Sequence, residues 1–69
     1  MPNVTIDWIE GRTLDQRRAV IAGITDLLVE AGDARREAVQ VTFRDMTMET
    51  WGRGGLLGCD RTDVPDVNA

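Results

Sequence analysis

The sequence predicts an α+β protein: a single β-α-β unit with parallel strands, followed by a small C-terminal hairpin. Three observations carry that prediction. Val4, Ile6 and Trp8 alternate with Asn3, Thr5 and Asp7, the period-two pattern of a strand with one buried face. Val20, Ile21, Ile24, Leu27, Leu28 and Ala31 then recur at helical spacing. Val39, Val41 and Phe43 alternate in turn with Gln40, Thr42 and Arg44, giving a second strand. Strand, helix and strand over so short a span form one right-handed parallel crossover.

Each element has its own punctuation. Gly11 closes the first strand as a turn residue. Thr13 and Gln16 form a capping-box pattern, and Asp15 sits in the first turn, where the helix dipole favours an acid. The helix is predicted from Leu14 to Ala31, with Gly32 as a left-handed C-cap. Gly23 lies inside it, at a cost of up to about 1 kcal/mol against Ala, and suggests close packing. Residues 33–37 read as a short helical turn capped by Asp33. Met46, Met48, Trp51, Leu56 and Leu57 are interleaved with Gly52, Gly54, Gly55 and Gly58, which predicts a tight hairpin with Trp51 at its start. The same glycines do not make a phosphate loop, because the Walker lysine and a following helix are missing. Residues 2–58 are therefore expected to be the folded domain, and the polar, proline-broken residues 59–69 a mobile tail.

Size then constrains assembly. A 69-residue chain buries only about 60% of its unfolded surface. The single cysteine, Cys59, cannot form an internal disulfide, and no His/Cys cluster is available for zinc. Self-association is the remaining source of stability, and the apolar residues near the C-terminus are expected to cover a neighbouring subunit. A lone thiol, expected to be partly buried and structural, fits the cytoplasm. No stretch is long and apolar enough for a membrane span. The net charge of −4 argues against nucleic acid as a partner. The arginine pairs 17–18 and 35–36 read as solvated helix faces.

The chemistry is bounded by what is missing. There is no His, no Tyr and no Lys; all eight basic residues are arginines, which bind anions but do not shuttle protons. Near neutrality the proton carriers are the α-amino terminus, Cys59, or a carboxyl group with a strongly raised pKa. Removal of Met1, the usual fate of a methionine before a small residue, would leave Pro2 with a free secondary amine. An ordinary α-amino group titrates near about 7.7–8.0, and an apolar pocket or a nearby guanidinium lowers that value. Otherwise Pro2 simply stiffens the start of an edge strand.

Met1-Pro2, a strand ending Glu10-Gly11-Arg12-Thr13, a capped helix beginning Asp15-Gln16, a second strand ending near Met46, and Trp51-Gly52-x-Gly54-Gly55 occur here in order. This combination resembles the 4-oxalocrotonate tautomerase family in its short form, over residues 2–58. The resemblance implies a homohexamer, a trimer of dimers, acting on a small enol or unsaturated acid without metal or other cofactor. It implies Pro2 as general base and then general acid, Arg12 as the ligand of a substrate carboxylate, and Trp51 as an apolar pocket wall. One position departs: the family's second arginine falls at Gln40, which carries no charge. Arg44 is about 13 Å further along the strand, too far to replace it simply. Arg53, in the hairpin, is an alternative the sequence does not place. The departure predicts weak turnover of a dicarboxylate dienol and favours a monocarboxylate or another enol. Two further readings stay open: a hydratase or dehalogenase of a conjugated acid, with Glu10 or Asp7 activating water, and a non-catalytic subunit of a mixed hexamer.

Overall fold

The computed structural model describes residues 1–62. Its main elements are β1 (Asn3–Ile9), α1 (Leu14–Glu30), β2 (Gln40–Met46), β3 (Gly52–Arg53) and β4 (Leu56–Leu57), with 3-10 turns at Arg36–Ala38 and Gly58–Asp60. β1 pairs with β2, and β3 with β4. The first pair is parallel, as predicted: the Gln40 amide donates to the Pro2 carbonyl and the Glu10 amide to the Met46 carbonyl, so both strands advance together. The described residues form two compact units, Met1–Ile6 with Gly11–Thr42, and Asp7–Glu10 with residues 43–62.

The first unit is built on α1. The Thr13 hydroxyl accepts from the Gln16 amide at 3.1 Å and the Gln16 side chain accepts from the Thr13 amide at 2.8 Å, which completes the capping box. The inward face holds Val20, Ile24, Leu28 and Val29, half-buried, and Thr25, buried. The predicted stripe was too wide on one side, since Ile21 is 38% exposed and Leu27 63%. The C-terminal end also differs. The amides of Gly32 and Ala34 both reach the Leu28 carbonyl, and a Cβ on Gly32 would lie 2.7 Å from that oxygen. Gly32 is thus explained by a close approach, and the left-handed step falls on Asp33 at φ 57°. Asp tolerates that conformation because its short polar side chain bonds locally. A residue so placed does not have the extended backbone of an N-cap, so the short turn begins later, at Arg36, with no side-chain cap.

Gly23 does not mark close packing within the protomer: a Cβ there would meet nothing within 4 Å. The arginine pairs behave largely as solvated faces. Arg18 pairs with Asp15, Arg35 with Glu37, and Arg36 with Asp26. Arg17 is the half-buried member.

In the second unit, Trp8 and Phe43 stack at 5.1 Å between centroids, and the Trp8 indole N–H donates to Asp45 at 2.6 Å. Ile9 is buried. β3 and β4 pair antiparallel through Gly52↔Leu57 and Arg53↔Leu56. Their two-residue turn, Gly54-Gly55, has φ of 64° and 88°, the primed geometry that matches hairpin twist and favours glycine. Cys59 and Asp60 belong to the 3-10 turn. Residues 63–69 of the expected tail lie outside the described residues.

Candidate active site

Pro2 stands immediately before β1, half-buried, with its carbonyl held by the Gln40 amide at 3.0 Å. The preceding Met1 is 82% exposed. While Met1 is attached, the Pro2 nitrogen is an amide with no basicity; cleavage leaves the amine on a backbone already tied to the neighbouring strand. Gln40 is therefore the residue paired to Pro2, and its side chain is exposed.

Arg12 belongs to the same unit, in the link between β1 and α1. Gly11 turns the chain there with φ 127°, a conformation that L side chains rarely adopt. Thr13 then locks the helix start through the capping box. Between these two constraints Arg12 is half-buried.

Trp51 lies in the second unit, half-buried, just ahead of β3. The Gly58 amide donates to its carbonyl at 2.7 Å. A Cβ on Gly58 would be 2.8 Å from Trp51 Cε3 and 2.9 Å from Met48 Cε, so the missing side chain is what lets the indole and Met48 close over the backbone. The guanidinium of Arg53 lies over the Trp51 ring, 5.4 Å from its centroid. Pro2 and Arg12 thus share one unit, and Trp51 and Arg53 the other. The Trp51–Arg53 pairing had no sequence signal beyond the i, i+2 spacing that sets alternate strand residues on one face.

Two expectations are corrected or narrowed. Cys59 is exposed rather than partly buried, because the 3-10 turn after Gly58 carries it outward. Asp7, a candidate for activating water, faces the Arg44 guanidinium at 3.9 Å. Among the described residues no group of three or more His, Cys, Asp or Glu could hold a metal ion, and no helix is long and apolar enough to cross a membrane.

Comparison with known proteins places these features in context. The family model described as "Tautomerase enzyme" matches residues 2–60. The chain is 41% identical over 56 residues to a 2-hydroxymuconate tautomerase of Comamonas testosteroni, covering 81% of this chain and 89% of that protein. It is 35% identical over 60 residues to a probable tautomerase of Listeria monocytogenes, covering 87% and 98%. Among solved structures, a 4-oxalocrotonate tautomerase isozyme from Methylibium petroleiphilum superposes with a TM-score of 0.74 at 43% identity, over 84% of this chain and 94% of that one. YwhB, a homologue of 4-oxalocrotonate tautomerase, gives a TM-score of 0.81 at 28% identity, over 87% and 98%. The β-α-β unit and the glycine-rich hairpin therefore belong to an isomerase: this chain is a member of the tautomerase family, of the 4-oxalocrotonate tautomerase kind.

Proposed function

We propose that the protein is a cofactor-independent tautomerase that interconverts the enol and keto forms of an unsaturated 2-hydroxy or 2-oxo acid, with Pro2 as its proton carrier. After loss of Met1, the Pro2 amine takes the proton from the substrate's enol hydroxyl. The electron pair moves into the conjugated system as the C=O forms. The resulting ammonium then returns a proton to a carbon of the same system, which restores the free amine. One group acts as base and then as acid, so no second proton carrier is needed in a chain without His, Tyr or Lys. Arg12 holds the substrate carboxylate through its planar fork. Trp51 walls the pocket and keeps water from the dienolate.

The observation that carries this reading is the placement of Pro2 directly before β1, half-buried, with its carbonyl bonded to the Gln40 amide. That bond sets the direction of the amine without consuming its lone pair. The 2-hydroxymuconate tautomerase at 41% identity makes a 2-hydroxy-dienoate the first substrate to try. The protein is expressed without an amino-terminal tag and its intact mass is measured; a mass short of one methionine is expected. Pro2→Ala should then lower kcat/KM by about 10²- to 10⁴-fold, the usual contribution of a general acid–base group. Full-length mass, or an active Pro2→Ala protein, overturns the assignment.

The active form in this proposal is a cytoplasmic homohexamer. Its support is a thin protomer core: the buried side chains are Ile9 and Thr25, and no large side chain is fully buried among the described residues. Leu14, Leu27, Leu56 and Leu57 are all at least 45% exposed. Small domains of this kind gain the missing burial from copies of themselves.

A further inference from the structure

We infer that Gln16 is a positioning residue of the reaction: its side chain holds the peptide that joins Arg12 to Thr13, and so sets the direction in which Arg12 is offered to the substrate carboxylate. The inference rests on the carboxylate-binding role proposed for Arg12, and deepens it by assigning a residue that acts through Arg12 without touching substrate. All the groups concerned lie in one compact unit. The Gln16 Oε1 atom accepts from the Thr13 amide at 2.8 Å, and the Thr13 hydroxyl accepts from the Gln16 amide at 3.1 Å. The first of these bonds holds the N–H that directly follows Arg12. Asp15, the acid next to Gln16, is engaged by Arg18 at 2.9 Å, so the Thr13 amide is left to Gln16.

A long side chain is only as well directed as the peptides on either side of its Cα. Before Arg12, Gly11 turns the chain at φ 127°. Glycine gives that bend but little stiffness, because it has no side chain to limit its dihedrals. After Arg12, the Thr13–Gln16 pair ties the peptide to the first turn of α1, and the Arg17 amide donates to the Thr13 carbonyl at 3.1 Å. The stiffness therefore comes from the helix side, and Gln16 supplies the bond nearest to Arg12 on that side. The chemistry required is specific. A side-chain carbonyl three residues into the helix reaches back to the N-cap amide, and an apolar side chain of the same length does not replace it. Gln16 is exposed, so exchanging it opens no cavity. An arginine whose backbone is already fixed loses less on binding than one the substrate has to order.

The test titrates hexanoate, an unreactive monocarboxylate, into the untagged full chain by NMR at neutral pH, and measures kcat and KM on a 2-hydroxy-dienoate beside it. Gln16→Met keeps the length of the side chain and removes the acceptor. Both the Kd for hexanoate and KM should rise about threefold to tenfold, the cost of ordering one long side chain, at unchanged kcat. Gln16→Glu restores an acceptor at the same place and should return both constants to near their wild-type values. Ala22→Gly weakens α1 away from its cap and should change neither. Unchanged constants in Gln16→Met overturn the inference, as does an equal rise in Ala22→Gly, or a Gln16→Glu variant no better than Gln16→Met. Arg12→Ala tests the reading underneath. If that variant binds hexanoate as tightly as wild type, Arg12 is not the carboxylate ligand and both readings fall. If Arg12→Ala binds weakly while Gln16→Met is unaffected, only the role of Gln16 is lost. Gln16→Met should add no further loss in an Arg12→Ala background, because Gln16 acts through Arg12; an additive loss overturns that route.

Discussion

At the scale of the residue, the hairpin depends on an atom that is not there. Gly58 has no Cβ, and the space one would take is occupied by the Trp51 ring and the end of Met48. Met48 is flexible enough to move aside, but the indole is rigid and its carbonyl is bonded to the Gly58 amide. Gly58→Ala should therefore destabilise the protein by about 1–3 kcal/mol, the usual cost of overpacking, read as a lower urea midpoint at unchanged slope. It should also disturb the Trp51 environment, read as a shift of its indole N–H resonance. That dependence could not be read from the chain, where Gly58 is one more glycine in a glycine-rich stretch. The same holds for Arg53, because a contact between a guanidinium and a ring is a matter of rotamers. Pro2 and Arg12 were different: the first is marked by a census that leaves hardly any other proton carrier, the second by its place in Glu10-Gly11-Arg12-Thr13.

At the scale of the element, α1 was legible at one end and misread at the other. Its start is a local matter. Thr13 and Gln16 satisfy each other's backbone amides within a single turn, so the pattern is complete in four residues. Thr13→Ala should cost about 1 kcal/mol, measured by thermal or urea unfolding, and, on the role proposed for Arg12, should raise the KM of the substrate because Arg12 precedes the cap directly. The C-terminal end instead depends on how closely the chain passes back over Leu28. That approach makes glycine necessary at 32 and moves the left-handed step to Asp33, where a rule about left-handed glycines does not reach. The two long strands were readable for the opposite reason to the helix end: alternation of apolar and polar residues follows from the pleat itself, and Val4, Ile6, Val41 and Phe43 are each half-buried between exposed, polar neighbours.

At the scale of the whole molecule, the protomer is short of core. Among the described residues Thr25 in one unit and Ile9 in the other are the buried side chains outside glycine, and the other large apolar residues stay partly or largely exposed. Native mass spectrometry of the chain expressed alone should accordingly show a hexamer. A monomer would remove the self-association argument, and assembly only in the presence of a second, related chain would favour a mixed hexamer. What the sequence determined by itself is the β-α-β unit, the cap of its helix, the hairpin and the family. Each is written in short-range periodicity or in a run of a few residues, where backbone geometry alone relates neighbours. Only the tertiary structure decided that Gly32 and Gly58 are contact glycines, that Cys59 faces outward, that Asp7 pairs with Arg44, and that Arg53 rests on Trp51. Those outcomes depend on which surfaces meet after the chain has folded, and no local pattern encodes a distance between atoms that folding has yet to bring together.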